Sequence, residues 1–137
     1  MEEKLIALLT GLGAFVSYFG ASVALLALFA LAYAKVTPYR EINLIANGNV
    51  AAASSYSGAI LGFTIPLASA VSHSVGLLDM IIWGIVALVV QLAAFGVIRM
   101  IFPSIAQDIP NNQVSKGIFL GAISLVIGII NAACMTY

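Results

Sequence analysis

Charged residues are scarce in this chain of 137 residues: five Lys and Arg balance five Asp and Glu, so 7% of residues are charged and the net charge is zero. An ordinary soluble domain carries about 25% charged residues. With 63% hydrophobic residues, the composition predicts an integral membrane protein surrounded by the lipid bilayer. The balanced charge gives no basic surface for nucleic acid, so no nucleic-acid partner is expected.

Residues that carry catalysis or bind metals are also few, with one Cys and one His in the chain. The single Cys134 forms no internal disulfide. The sequence has no Gly-rich phosphate loop, no HExxH motif and no Cys and His cluster at metal-binding spacing. No apolar segment carries a charge near its centre, as a proton relay requires. The sequence therefore predicts a protein that is not an enzyme, with no cofactor and no metal site.

Four apolar segments are long enough to cross a membrane, because a helix needs roughly 20 apolar residues to span a hydrocarbon core about 30 Å thick. They cover approximately residues 11–34, 50–72, 78–101 and 117–135. The first segment is longer than the apolar region of a signal peptide, about 7 to 15 residues, and the preceding MEEK is not clearly positive. We therefore predict a retained first span and a single all-α membrane domain over residues 1–137.

The cationic residues indicate the orientation of these spans, because Lys and Arg are retained in cytoplasmic loops. Four of the five flank the first and third loops: Lys35, Arg40, Arg99 and Lys116. The opposite side has only Lys4, which follows two glutamates. We therefore predict that both termini lie outside the cell and that the two longer loops lie inside.

The two halves of the chain match at the offset of 64 residues that separates Gly20 from Gly84. The same offset gives further pairs: Lys35 with Arg99, Asn47 with Asn111, Val50 with Val114, and Leu61 with Leu125. The pattern predicts two tandem helical hairpins, over about residues 11–73 and 78–137. Because two spans return the chain to its starting side, the hairpins form a parallel repeat about an axis along the membrane normal.

Small residues follow steps of three and four along the second and fourth segments, which places them on one face of each helix. In lipid, helices associate by close backbone approach at such residues. We therefore predict that the second and fourth spans form the central, closely packed pair. The candidate packing residues are Gly58, Gly62, Gly117, Gly121 and Gly128.

Polar residues inside the spans support two interpretations. A buried amide such as Gln91 or Asn131 hydrogen-bonds another helix, at about 1 kcal/mol, or lines a pore or ligand site. Pro66 lacks an N–H, which predicts a kink and a free carbonyl one turn earlier, near Gly62. That carbonyl either binds an ion or is satisfied by packing or by nearby hydroxyls. The candidate pore-lining residues are Gln91, Asn131, Pro66, Thr64 and Ser69.

Each longer loop is predicted to contain a short helix that lies in the membrane interface. In the first loop, Pro38 gives a start signal and Asn47-Gly48 gives a stop signal. Asn49 is then a candidate N-cap of the second span, and Asn112 or Gln113 of the fourth. We predict that these polar residues form a lip on the inner face, as structural hinges or as a binding site on the cytoplasmic side. The lip residues are Glu41, Asn47, Asn49, Asn111 and Asn112.

The five tyrosines are expected to act as interfacial anchors or as lipid-facing bulk, which is the usual position of aromatic residues in membrane proteins.

Four stretches carry a resemblance to a known family: TPYREINLIANGNVAAA, GAILGFTIPLASA, DMIIWGIVALVVQLAAF and GIFLGAISLVIGIINAACM. They resemble the YjfL-type family of small bacterial inner-membrane proteins, a domain of unknown function with the number 350. The resemblance extends from Tyr18 to the end of the chain. It implies a four-span protein with a duplicated two-span unit in the bacterial inner membrane, so termini outside the cell, as predicted above from the charges, would be periplasmic. Genes of this family often lie near membrane-stress proteins of the PspA type, which suggests a role in envelope maintenance.

Two functions remain open on the sequence. The first is a non-enzymatic component that assembles with itself or with a membrane-protein partner, because the small-residue stripes exceed what one four-helix bundle needs. The second is a small channel or transporter for an ion or small solute. Four short spans enclose little space, so this alternative requires a homo-oligomer.

Overall fold

The computed structural model describes residues 1–137 and consists of six helices joined by short connections. They are α1 (Glu2–Val36), α2 (Glu41–Ala46), α3 (Val50–His73), α4 (Leu77–Ile101), α5 (Ile105–Asp108) and α6 (Val114–Cys134). Four of them, α1, α3, α4 and α6, are long and apolar enough to cross a membrane. The prediction of an all-α protein with four spans is therefore confirmed.

The first helix is longer than predicted, because it begins at Glu2 and not near Gly11. Residues 2–10 contain no Gly or Pro, so nothing in this segment stops the helix. With 35 residues, α1 is about 52 Å long at 1.5 Å per residue. By the same rule the 21 residues of α6 span about 32 Å, close to the hydrocarbon thickness of about 30 Å.

Helix α3 is the centre of the bundle and packs along α6, with further contacts to α4, α1 and α2. The C-terminal half of α1 packs against α3 and α4 through buried side chains that include Leu25, Phe29 and Tyr33. The rings of Phe29 and Phe63 stack with centroids 4.6 Å apart. Every residue from Glu2 to Ser17 is exposed. We call this segment, residues 2–17, the α1 extension.

The bundle has two distinct ends. At the short-helix end, the residues that follow α2 and α5 meet, and the Asn49 side chain donates a hydrogen bond to the carbonyl of Ile109 at 2.9 Å. At the opposite, terminal end, the Tyr137 ring stacks on His73 with centroids 5.7 Å apart. Helix α2 begins at Glu41, three residues after the predicted start at Pro38, because Thr37 and Arg40 have extended backbones.

Candidate functional site

The contact between α3 and α6 depends on glycines that allow the two backbones to touch. A Cβ atom on Gly121 would overlap the carbonyl of Ser54, and one on Gly58 would overlap the backbone of Gly121. Added Cβ atoms on Gly128 and Gly62 would likewise overlap the carbonyls of Gly62 and Ser124, and one on Gly117 would overlap Ala51. All five candidate packing glycines therefore lie in this one contact, where no larger side chain fits.

Gln91 joins three helices at the middle of the bundle. Its side-chain nitrogen donates a hydrogen bond of 2.6 Å to the carbonyl of Gly62 on α3 and lies 3.4 Å from the carbonyl of Ser124 on α6. The Gly62 carbonyl needs a side-chain donor because Pro66, four residues later, has no N–H to offer it. Helix α3 continues through Pro66 to His73. The structure thus gives the proline-freed carbonyl a partner on a neighbouring helix.

The other polar residues inside the spans also contact backbone or neighbouring side chains. Asn131 is buried, and its side-chain nitrogen lies 3.5 Å from the carbonyl of Ala87 on α4. Thr64 donates to the carbonyl of Ile60 on its own helix. Ser69 lies at the terminal end, with its hydroxyl 2.9 Å from that of Tyr137.

Three cavities are present, and none of them is lined by Gln91 or Asn131. An apolar groove of about 350 Å³ lies between α1 and α3, with Thr64 in its wall. A smaller cavity of about 130 Å³ lies between the end of α4 and the start of α6. A third, of about 300 Å³, lies beside Glu41 at the short-helix end.

Two asparagines connect the loops at the short-helix end. The Asn49 side chain accepts a hydrogen bond from the N–H of Ala52, as predicted for an N-cap, and donates to the carbonyls of Ile109 and Pro110. Asn112 accepts from the N–H of Ala51 across the bundle, at 3.0 Å. The start of α3 therefore receives caps from both loops, which fixes the two loops against each other.

Of the two residues predicted to cap the fourth span, Gln113 is confirmed in position and Asn112 is not. Gln113 occupies the N-cap position of α6, but its side chain makes no cap hydrogen bond. Asn112 has a positive φ of 58° and turns its side chain toward α3 instead. Asn47 and Asn111 are exposed, and neither side chain makes a hydrogen bond within the chain. The five lip residues therefore do not form one continuous rim.

Glu41 lies in the interior and not on the lip, with 1% of its surface exposed. Both carboxylate oxygens are buried without a hydrogen-bond partner, and so are the hydroxyl oxygens of Tyr33 and Tyr39. An isolated buried carboxylate costs several kcal/mol when ionised. Burial accordingly raises the pKa of Glu41 above its ordinary value, while the hydroxyl of Thr37 and the Glu41 backbone act in the opposite direction.

Three of the five tyrosines surround this carboxylate, which corrects for these three the expectation that they are anchors or lipid-facing bulk. Tyr33, Tyr39 and Tyr56 are all buried, and each lies within electrostatic range of Glu41. Burial, followed by the Glu41 carboxylate, raises the pKa of Tyr39 well above its usual range. The Tyr56 hydroxyl donates to the carbonyl of Ala30 at 3.1 Å. We call Glu41, Tyr33, Tyr39 and Tyr56 the Glu41 cluster.

Sequence reasoning missed the Glu41 cluster because its members are distant in the chain and belong to α1, α2, α3 and the α1–α2 connection. The available signal was the start of the short helix. Glu41 and Ile105 are the first residues of α2 and α5, and both are buried. A charged residue at the start of α2, where α5 starts with isoleucine, indicates a position that needs explanation.

The comparisons agree with a membrane protein. A family described as Domain of Unknown Function (DUF350) matches residues 7–135. The chain is 42% identical over 130 residues to UPF0719 inner membrane protein YjfL of Escherichia coli strain K12, covering 95% of this chain and 98% of that protein. It is 30% identical over 119 residues to UPF0719 transmembrane protein YshE of Bacillus subtilis strain 168, covering 85% and 89%.

No solved structure matches this chain. The relatives are described by their membrane location and not by an activity. The resemblance seen in the sequence is confirmed by the family match and by both relatives. With four apolar helices, the chain is a multi-pass inner-membrane protein, and it belongs to the DUF350 family.

Proposed function

We propose that this protein is a non-enzymatic component of the inner membrane that assembles with a second copy of itself through α1. The observation that carries the proposal is a stripe of small residues on α1 that nothing in the chain covers. Thr10, Gly13, Ser17 and Gly20 follow each other at steps of three, four and three. We call these four residues the α1 stripe.

The α1 stripe has the composition of a helix contact but no partner within the chain. A Cβ added at Gly13 or Gly20 meets no atom within 4 Å. The hydroxyls of Thr10 and Ser17 bond to carbonyls of their own helix, so the surface needs no polar partner. Small residues that let two backbones approach are the usual basis of helix association in lipid. A second α1 offers the same surface, which makes a symmetric contact possible.

The length of α1 supports the same proposal. Its C-terminal half packs in the bundle, so the additional length, about 20 Å relative to α6 at 1.5 Å per residue, lies in the α1 extension. The extension is apolar, with Leu5, Ile6, Leu8 and Leu9 all more than half exposed. Apolar surface that exceeds the thickness of the bilayer is stabilised by tilting or by oligomerisation. Pairing of two α1 helices would cover part of it.

The test measures association between copies in liposomes. Cys134 is an exposed free cysteine at the terminal end, so it accepts donor and acceptor dyes without other substitutions. We expect energy transfer that increases with the protein-to-lipid ratio. For Gly13→Leu combined with Gly20→Leu, we expect a tenfold or larger loss of affinity between copies, about 1.4 kcal/mol. Gly11→Leu is the matched control, because Gly11 lies about 160° from Gly13 around the helix.

Transfer no higher than random proximity gives at every protein-to-lipid ratio would overturn the proposal. An equal loss of affinity in the Gly11→Leu control would mean that the α1 stripe is not the contact. Because Gly11, Gly13 and Gly20 all face open space, none of these substitutions is expected to prevent folding.

The proposal also covers the arrangement and orientation of the helices in the membrane. We propose that the chain is a tandem parallel repeat of two hairpins, with α2 and α5 at the cytoplasmic interface and both termini in the periplasm. The support is the shared 64-residue offset together with the order long helix, short helix, long helix in each half. Labelling of Gly48→Cys and of Cys134 in intact cells by an impermeant thiol reagent tests the orientation. We expect only Cys134 to react, and reaction at position 48 alone would reverse the assignment.

An oligomeric channel is the alternative function. The contacts of Gln91 and Asn131 with backbone carbonyls favour packing over this alternative. A path for an ion or solute would therefore lie between copies. Ion flux in proteoliposomes that Gln91→Leu and Asn131→Leu both reduce, at unchanged protein content, would favour the channel.

We also propose that the assembly serves envelope maintenance, as the resemblance suggests. In a strain that lacks the gene, we expect increased leakage of a membrane-impermeant dye during envelope stress. The wild-type protein should restore the barrier, and the Gly13→Leu, Gly20→Leu double variant should restore less of it at equal abundance. Equal rescue by both proteins would show that envelope maintenance does not depend on assembly through α1.

A further inference from the structure

Four oxygen atoms in the Glu41 cluster are buried without a hydrogen-bond partner: both carboxylate oxygens of Glu41 and the hydroxyl oxygens of Tyr33 and Tyr39. Nearly all buried polar groups in proteins are paired, so each such atom requires an explanation. Here the four belong to side chains within electrostatic range of one another. The single ion pair of the chain, Lys116 with Asp108, lies elsewhere and does not neutralise Glu41.

At the start of the other short helix the buried residue is apolar, so a short helix can begin at this end of the bundle without a carboxylate. Ile105 begins α5 as Glu41 begins α2, and both side chains are buried. An apolar residue therefore fills this place at the start of a short helix at the same end of the bundle. A buried carboxylate without a partner in the chain is either protonated or paired with a bound positive charge.

The chemistry of the cluster selects the ligand. The unpaired atoms are all oxygens, and the hydroxyls of Thr37 and Ser55 lie nearby. Oxygen donors suit hard cations, whereas transition metals prefer imidazole or thiolate. No group of three or more His, Cys, Asp and Glu residues converges in this structure. One carboxylate balances one positive charge. We propose that the Glu41 cluster binds a monovalent metal cation such as Na⁺ or K⁺.

The cluster has a possible entry at the short-helix end. A cavity of about 300 Å³ lies beside Glu41, lined also by Ala34, Arg40, Ile42 and Asn43. Arg40 at this entrance and the exposed Arg99 on α4, which is within electrostatic range of Tyr39, are the cationic groups around it. Both would oppose any cation that enters, and one carboxylate balances only one positive charge, so the site should hold no more than one ion.

A proton competes with the cation for the same carboxylate. Burial raises the pKa of Glu41, so the folded chain holds a proton more tightly than the unfolded chain does. Stability from this group is fully present below the unfolded pKa, near 4.5, and is lost as the pH rises through the folded pKa. A bound cation would replace the proton, so this loss should shrink in its presence. Tyr33, Tyr39 and Tyr56 face the carboxylate from the other elements.

The experiment uses the purified full chain in detergent and in liposomes, with N-methylglucamine chloride replaced by NaCl, KCl or LiCl at constant ionic strength. Thermal unfolding, followed by Trp83 fluorescence, and equilibrium binding of radioactive sodium or rubidium are measured. We expect one of these cations to raise the melting temperature with a logarithmic dependence on concentration. We also expect about one ion per chain, and a tenfold loss of affinity for each pH unit below the folded pKa of Glu41.

Glu41→Gln keeps the shape of the side chain and removes its charge, so it should abolish the cation response. Asp108→Asn is the matched control, because it removes the other carboxylate of the short helices, which pairs with Lys116. Its cation response should equal that of the wild type. Tyr33→Phe and Tyr39→Phe retain the charge and should weaken binding several-fold, which keeps the test decisive if Glu41→Gln fails to fold.

Two results would overturn the proposal. The first is an equal cation response in the wild type and Glu41→Gln, or in the wild type and both phenylalanine variants if Glu41→Gln is unstable. The second is no cation response in the wild type between about pH 5 and about pH 9, a window that lies above the ordinary carboxyl pKa of about 4.3. That second result would mean that Glu41 takes only a proton. Neither result bears on the α1 contact, which is measured separately.

Discussion

Two regions of the molecule have glycines at helical spacing, but only one of them makes contacts within the chain. In the α3–α6 contact, an added Cβ at each of Gly58, Gly62 and Gly121 would overlap another backbone. On α1, an added Cβ at Gly13 or Gly20 would meet nothing. Spacing alone therefore identifies a surface suited to close approach. It does not tell whether the approaching helix belongs to the same chain or to another copy.

The largest effect expected from this comparison is on folding. Gly128→Ala would place a Cβ into the carbonyl of Gly62, and a helix must shift to accept it, at a cost of about 3 kcal/mol. Gly20→Ala, the same change on α1, should alter stability by less than about 1 kcal/mol. Unfolding in mixed micelles measures both. Equal losses for the two variants would show that the close α3–α6 approach does not stabilise the fold.

The next effect concerns the amide that closes the α3–α6 contact. Gln91→Leu leaves the Gly62 carbonyl without its 2.6 Å donor and should cost about 2 kcal/mol, because that carbonyl is buried. Pro66→Ala supplies a backbone N–H for the same carbonyl, so Gln91→Leu should cost less in that background. A double-mutant cycle measures the difference. Strictly additive effects would mean that Gln91 does not compensate for Pro66.

A smaller effect is expected at the short-helix end, where both loops cap α3. Asn49→Ala should cost about 1 kcal/mol, the usual loss for an N-cap. Asn112→Gly removes the bond to Ala51 but tolerates the positive φ of this residue, so its loss reports the hydrogen bond. The exposed residues Asn47 and Asn111 are the controls, and their Ala variants should stay within about 0.5 kcal/mol of the wild type. Hydrogen exchange of the Ala51 and Ala52 amides shows whether the loss of stability occurs at the start of α3.

The sequence predicts much of this fold because membrane spans obey simple rules. Length and hydropathy predict all four spanning helices. The sequence did not predict the extra length of α1 because the first span was limited to the length that a bilayer requires. A helix can continue beyond the membrane surface. The stripes led us to predict the second and fourth spans as the central pair, and in the structure α3 and α6 form the closest contact. This pairing is predictable because close backbone approach requires small residues, which the sequence shows directly.

The candidate site was less predictable because its polar residues act across the bundle. Asn112 looks like a cap for the helix that follows it, yet it bonds to the start of α3, and no local pattern contains that contact. Pro66 indicates a free carbonyl, but its partner Gln91 is identified only when α4 is in place. Glu41 looks like an ordinary first-turn acid. Its burial follows from the positions of Tyr33 and Tyr39, which pack around it only in the folded protein.

The central claim is that the glycines of α1 serve a contact between copies as those of α3 and α6 serve a contact within one chain. Disulfide formation in native membranes tests it most directly, with Cys134→Ala removing the natural thiol and Gly13→Cys or Gly11→Cys supplying a single new one. The account predicts a covalent dimer from Gly13→Cys and little or none from Gly11→Cys on the opposite face. Absence of a dimer from Gly13→Cys, or equal dimer from both positions, would contradict it.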